Sequence, residues 1–196
     1  MVSLPKDIKR HQVITLTGID FEHNVITCKL GAQRIKNILE RKTTPCMNIP
    51  AEHLPILQQL CRSQPLAALA TDAGSHPYVS LVAVAVTNDL RCLYFATPRA
   101  TRKWANLARN SQVSLLLDNR SNQVSDFRLA AAATLLGTAL EMTGSAREEG
   151  MTIYLSRHPH LADFTAAPSC ALFKVQVDRI YLVTRFQNVM EFHLTP

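Results

Sequence analysis

Two β-rich runs, YVSLVAVAVT (78–87) and RCLYFAT (91–97), flank the turn-forming pair Asn88-Asp89. A link this short joins antiparallel neighbours, because parallel strands need a crossover of a dozen or more residues. The next segment, PRATRKWANLARN (98–110), places Trp104, Leu107 and Ala108 on one helical stripe behind Thr101, a good N-cap. QVSLLLD (112–118) then returns as a strand. Strand, turn, strand, short helix, strand is an antiparallel meander interrupted by a helix, which places the chain in the α+β class.

The flanking sequence extends this pattern. Residues 51–62 form an amphipathic helix behind Pro50, with Leu54, Leu57, Gln58 and Cys61 on one stripe, and Pro65 ends it. Residues 66–71 form a strand followed by the turn Asp72-Ala73-Gly74-Ser75. Residues 119–128 form a polar loop. Residues 129–142 are rich in alanine, which favours helix, yet Thr134, Gly137 and Thr138 weaken it and the neighbours are strands; both states stay open on propensity alone. Residues 147–157 are helical, and residues 158–164 continue the helix after a break at Pro159. Residues 171–177 and 180–186 form a last strand pair. An antiparallel sheet with this many strands is long enough to close into a barrel. Upstream, residues 13–17 and 25–30 form a hairpin about a turn at 20–24, residues 33–41 form a short helix, and KTTPCMNIP (42–50) is a linker. The expected division is an appendage, 1–50, and a main domain, 51–196.

Composition excludes several classes. With 47% hydrophobic and 18% charged residues the 196-residue chain is globular rather than disordered or coiled coil. No apolar run reaches the roughly 18 residues of a membrane-spanning helix, and MVSLPKDIKRHQ lacks a signal-peptide core; the expectation is a cytoplasmic protein with no membrane partner. Five scattered cysteines without a C-x-x-C argue against a disulfide framework and a zinc site. The net charge of +6 is mostly N-terminal: residues 1–50 carry eight Lys/Arg and four Asp/Glu, the rest thirteen and eleven. That excess is too diluted for a nucleic-acid footprint.

One segment concentrates chemistry: Thr97-Pro98-Arg99-Ala100-Thr101-Arg102-Lys103. A strand ends at a hydroxyl, and a helix opens with a hydroxyl and two cations. Unpaired N–H groups, hydroxyl donors and cations together make a phosphate cradle. First-turn cations oppose the helix dipole, which makes sense when an anion sits between them. The residues alone leave open an ordinary capped helix with two solvated cations.

This stretch resembles the FMN phosphate site of the pyridoxamine 5′-phosphate oxidase-like flavoproteins, the FMN-binding split barrels. Thr97, Thr101, Arg102 and Lys103 match the family's threonine-ended strand and Ser/Thr-Arg-Lys helix start. The similarity extends through His76-Pro77-Tyr78, through Asn106-Leu107…Asn110 and Val113-Ser114-Leu115-Leu116, and through Ala133-Thr134…Gly137…Ala139, covering about residues 52–186. The resemblance implies a split β-barrel, antiparallel and Greek-key-like, with flanking helices, and it makes 129–142 a strand. It implies FMN at a homodimer interface and a redox activity, with alternatives in a haem-binding or haem-degrading split barrel and a non-catalytic flavin-binding module. It implies that Tyr78, Ser80, Leu81 and Val82 line the flavin, that Ala96 and Thr97 close the phosphate end, and that Asn119, Arg120, Arg185 and Gln187 face the flavin or the partner subunit. Ser80 and Ala85 stand where the oxidase proper has Arg and Lys, and the oxidase's Arg-rich tail is replaced by Arg185-Phe186-Gln187-Asn188-Val189-Met190-Glu191-Phe192-His193. Vitamin B6 oxidation is therefore not expected. His193 is a haem candidate or, more simply, an exposed tail histidine; Trp104 is a core anchor, and His158-Pro159-His160 is not expected to hold a metal, since two histidines around a proline share no helix face.

Overall fold

The computed structural model describes residues 16–20, 25–28, 49–74, 76–185 and 188–194. Contacts divide the chain into two units, Met1–Pro45 and Cys46–Pro196. In the first, β1 (Leu16–Asp20) pairs antiparallel with β2 (Val25–Cys28), Ile19 opposite Ile26 and Asp20 opposite Val25. The first strand thus reaches to Asp20, which the sequence assigned to the turn. Residues 13–15 and the expected helix at 33–41 lie outside the described residues.

The second unit starts with α1 (Leu54–Ser63), three residues later than the sequence suggested. Pro55 explains the shift. A helix begun at Ala51 would need an N–H from Pro55, whereas a start at Leu54 puts the proline in the first turn, where no intrahelical donor is required. Then follow β3 (Leu66–Thr71), β4 (Tyr78–Val86), β5 (Cys92–Pro98), α2 (Arg102–Leu107) and β6 (Gln112–Asp118). A short helix, α3 (Asp126–Leu129), sits in the region expected to be loop. The chain continues with β7 (Ala131–Glu141), α4 (Gly144–Arg157), a 3-10 turn (Pro159–Leu161), α5 (Ala162–Ala166), β8 (Cys170–Thr184) and β9 (Asn188–His193).

Neighbouring strands run β5-β4-β3-β6-β7-β8, and β5 also pairs with β8, closing an antiparallel six-stranded barrel; β9 adds to β8 outside the ring. Alternation in β6 and β7 sends Val113, Leu115, Leu117, Ala133, Leu135 and Ala139 inward. β7 is paired along both edges, to β6 and to β8. That tertiary pairing overrides the helix propensity of its alanines. Stacked Phe95 and Phe173, 5.2 Å between centroids, fill the interior. A second apolar cluster lies between α4 and the outer face of β4, β5 and β8, around Tyr94, Tyr154 and Leu172. Burial there pushes the Tyr154 phenol up to about 12.

The expected final strand pair is instead one 15-residue strand. Asp178-Arg179, which fell between the two expected strands, is a β-bulge: Leu136 faces Arg179 and Gly137 faces Val177, leaving Asp178 without an opposite residue. The bulge is where β8 changes partner. Its first part pairs with β5, its second with β9, and the Asp178 carbonyl accepts from Leu194 N at 2.8 Å. The close approach at this point requires Gly137, since a Cβ there would lie 2.1 Å from the Gln176 carbonyl oxygen.

Arg157 and His158 tie α4 into the barrel. Arg157 Nη2 donates to the carbonyls of Cys61, Arg62 and Gln64 at the end of α1. His158 is 2% exposed, and its Nε2 lies 2.9 Å from the Val84 carbonyl oxygen. Its burial holds the imidazole below its ordinary range. Of the cysteines, Cys61 and Cys170 are buried thiols and Cys92 is half-buried; desolvation raises all three, Cys61 to about 11. Among the described residues, no group of three His, Cys, Asp or Glu is placed to hold a metal, and no helix is long and apolar enough to cross a membrane.

Candidate functional site

β5 delivers Thr97 to the edge of the barrel, and the turn 98–100 carries the chain into α2 with Thr101 as N-cap, in extended backbone geometry. The two hydroxyls lie 3.1 Å apart. Thr101 donates to the Pro98 carbonyl at 2.8 Å, so its proton is committed to the turn, and it accepts from the Trp104 N–H. Thr97 is 1% exposed. With the Thr101 proton on Pro98, Thr97 donates to Thr101, so the pair fixes the loop. With six residues, α2 has little dipole to offer. The anion-attracting chemistry comes from side chains instead.

Arg102 is exposed and Lys103 half-buried. Among the described residues neither is paired with a carboxylate, and the first turn of α2 contains no acid. The Arg102 guanidinium lies over the Tyr78 ring, 5.5 Å from its centroid, which joins α2 to the start of β4. Asn106, buried on the inner side of α2, donates to Thr71 Oγ1 at 3.0 Å. These contacts bring Tyr78, Thr97, Thr101, Arg102 and Lys103 to one end of the barrel.

Along β4, Tyr78, Ser80 and Val82 pair with Thr71, Leu69 and Ala67 and face the barrel interior. Val79 and Leu81 project outward at 61% and 70% exposure. Ser80 Oγ is buried and has no hydrogen-bond partner among the described residues, a polar atom left for a ligand or solvent. Ala96, on β5, is buried in the cluster under α4 rather than in the cradle.

The remaining sequence-predicted residues lie elsewhere. Asn119 is engaged at the β6–β7 connection: its N donates to the Ala131 carbonyl at 3.2 Å, and its Oδ1 accepts from Ala131 N at 2.7 Å. Arg120 pairs with Asp118 at 3.1 Å and lines a pocket of about 210 Å³ with Leu116, Asp126, Ala132 and Val183. Asp126 fastens this loop by accepting from Ser121 and Gln123; these bonds, the Ser121 N–H first, lower its carboxyl below the usual range. Arg185, exposed with φ 49°, turns the chain from β8 into β9; Gln187 lies outside the described residues. Thr97 pairs with Ala171 at the start of β8, whereas Thr184 pairs with Ala131 at its end. The two groups are thus far apart along β8, yet the register through β4, β3, β6 and β7 (Leu81, Ala68, Leu116, Thr134, Tyr181) brings the level of Leu81 round to the second half of β8. Among the described residues no hydrogen bond or ion pair joins Asn119, Arg120 or Arg185 to Thr97, Thr101, Arg102 or Lys103.

Two residues escaped the sequence reading. Arg99, inside the turn, is engaged with the barrel wall: its Nη1 donates to the Pro168 carbonyl at 2.7 Å and its Nε to Glu141 Oε1 at 3.1 Å. Glu141 Oε2 accepts from Trp104 Nε1 at 2.9 Å. Trp104 packs against the main core, as an anchor should. Nothing in the local sequence announces Glu141, which lies 37 residues from Trp104.

A closed antiparallel barrel with helices on its flank and a hydroxyl-and-cation cradle at one end defines the split-barrel class. The chain belongs to the pyridoxamine 5′-phosphate oxidase family, whose model matches residues 55–184. Among solved structures it is similar to a heme binding protein from Mycobacterium smegmatis (TM-score 0.65, 15% identity, 74% of this chain and 59% of that one). It is also similar to ChuZ of Campylobacter jejuni (0.62, 14%, 97% and 85%) and to a FAD-binding protein from Mesorhizobium loti (0.54, 16%, 65% and 90%). At these identities the likeness is one of fold. The chain spans about three-fifths of the first two matched structures, the second being a protein from Agrobacterium tumefaciens. No curated protein matches the chain.

Proposed function

We propose that the protein binds FMN and acts as an FMN-dependent oxidoreductase. The observation that carries this reading is the adjacent Arg102 and Lys103, without an acidic partner among the described residues, beside the Thr97/Thr101 hydroxyl pair. Two cations with no carboxylate to neutralise them suit a phosphate monoester: arginine grips it with two parallel bonds and lysine supplies a compact charge. Family membership supports a flavin as its bearer. Bound FMN supplies hydride or electron transfer, and the protein's part is to hold and orient it. Tyr78 and the unpartnered Ser80 hydroxyl lie on the strand leading away from the cradle. Ser80 and Ala85, in place of the oxidase's Arg and Lys, speak against pyridoxamine phosphate as substrate.

The same reading makes the protein a homodimer. Within one protomer Arg120 pairs with Asp118 and Arg185 turns the chain into β9, and neither is bonded to the cradle; in this reading they meet a flavin presented by a second copy. The outward Val79 and Leu81 supply apolar surface for that contact.

Titration of the apo protein with FMN and riboflavin tests the reading. With each charge-assisted bond worth roughly 1.5–3 kcal/mol, two of them imply a preference for FMN of about a hundredfold or more. Equal affinities would overturn it. Anaerobic reduction of the bound flavin by NADH or NADPH separates an oxidoreductase from a non-catalytic module. A second reading, haem binding, draws on His193, which stands exposed on β9 with Nε2 3.0 Å from Glu191. A Soret band on haem addition, lost in His193→Ala, would favour it.

A further inference from the structure

We infer that Glu141 is a positioning residue for the phosphate cradle, setting the affinity for the phosphate group through Arg99 and Trp104 without touching it. This rests on the FMN reading above. The cradle is a short loop and a six-residue helix, and such elements need outside support to hold cations in register. Glu141 ends β7, where the strand pairs with Phe173 of β8, so its backbone belongs to the closed barrel. Its two carboxylate oxygens are divided between the two halves of the cradle segment. Oε1 takes the Arg99 guanidinium from the turn before Thr101, and Oε2 takes the Trp104 indole N–H from the turn that carries Arg102 and Lys103. Arg99 is also held through Pro168, and its own N donates to the Ser169 carbonyl at 2.8 Å. One carboxylate thus bolts both sides of Thr101 to the barrel wall. It also neutralises Arg99, leaving Arg102 and Lys103 as the cations of the cradle.

Glutamine has one acceptor oxygen where glutamate has two. In Glu141→Gln the amide NH₂ must face either the guanidinium or the indole N–H, donor against donor, so one side of the cradle is released. Trp104→Phe makes the complementary change, keeping an aromatic ring against the core and removing only the N–H.

The test is calorimetric titration of wild type, Glu141→Gln and Trp104→Phe with FMN and with riboflavin. FMN affinity is expected to fall about tenfold in Glu141→Gln, the worth of roughly one charge-assisted bond lost or misdirected, while riboflavin affinity stays within about twofold. Trp104→Phe is expected to change in the same direction. A wild type that binds the two ligands equally would overturn the phosphate reading and this inference with it. A wild type that prefers FMN, with variants keeping the same FMN-to-riboflavin ratio, would overturn the positioning role alone. So would an equal loss of both ligands, which marks general destabilisation. Should Glu141→Gln fail to fold, the ratio in Trp104→Phe decides: a fall supports the inference and an unchanged ratio refutes it.

Discussion

Replacing Gly137 by alanine adds one methyl group at the tightest point of the barrel. Gly→Ala ordinarily stabilises a protein by about 0.4–1 kcal/mol, because the unfolded chain loses freedom. Here the new Cβ would stand 2.1 Å from the Gln176 carbonyl oxygen and 2.9 Å from its carbon, inside the 3.0 Å that real Cβ atoms respect. The obstacle is backbone, so no rotamer change relieves it, and β7 must move by nearly 1 Å relative to β8. β7 is also paired with β6 through Val113, and β8 with β5, so the displacement strains a closed ladder on both sides. Overpacking costs about 1–3 kcal/mol, and each ladder bond stretched out of geometry adds about 1 kcal/mol. Less the unfolded-state gain, the net loss is about 2–4 kcal/mol. With a urea slope of about 1–3 kcal/mol/M, the midpoint should fall by roughly 1–2 M at unchanged slope. An unchanged or raised midpoint would refute the argument. Gly150→Ala is the internal control. Its Cβ would meet the Tyr94 and Leu172 side chains at 3.0–3.3 Å, and side chains can yield, so its cost should be smaller.

Arg102→Ala and Lys103→Ala should each weaken FMN binding by about ten- to a hundredfold and leave riboflavin binding and circular dichroism unchanged, since neither side chain fills core volume; unchanged FMN affinity in both would count against the cradle. For His158 the folded imidazole titrates below its ordinary 6.5 because burial disfavours its charged form, so the unfolded chain takes up the proton first. Its contribution to stability is full above pH 6.5 and is lost as pH falls from there through the lower folded value. Urea midpoints from pH 8 to 5 should therefore drop more steeply for wild type than for His158→Gln, and parallel curves would contradict this. Sedimentation should find a species of twice the 21.8 kDa chain mass; a monomer holding FMN with full affinity would remove the case for a shared site.

Local sequence determined much of this protein. The turn at Asn88-Asp89, the alternating apolar residues of β6, and the Thr101 cap before an apolar stripe are local signals, written in neighbouring residues and their periodicity. The Thr97/Thr101/Arg102/Lys103 cluster was legible for the same reason, since all four lie within seven residues. Other features depended on contacts between distant parts of the chain. β7 is a strand because β6 and β8 flank it, against the propensity of its alanines. β8 runs through Asp178-Arg179 because a bulge lets one strand serve β5 and then β9, and no property of those two residues distinguishes a bulge from a turn. Arg99 lies inside the same segment, yet its partner Glu141 comes to it from β7, across 42 residues. Where Asn119, Arg120 and Arg185 stand relative to the cradle is set by the register of six strands around a closed barrel, which no local stretch of sequence specifies.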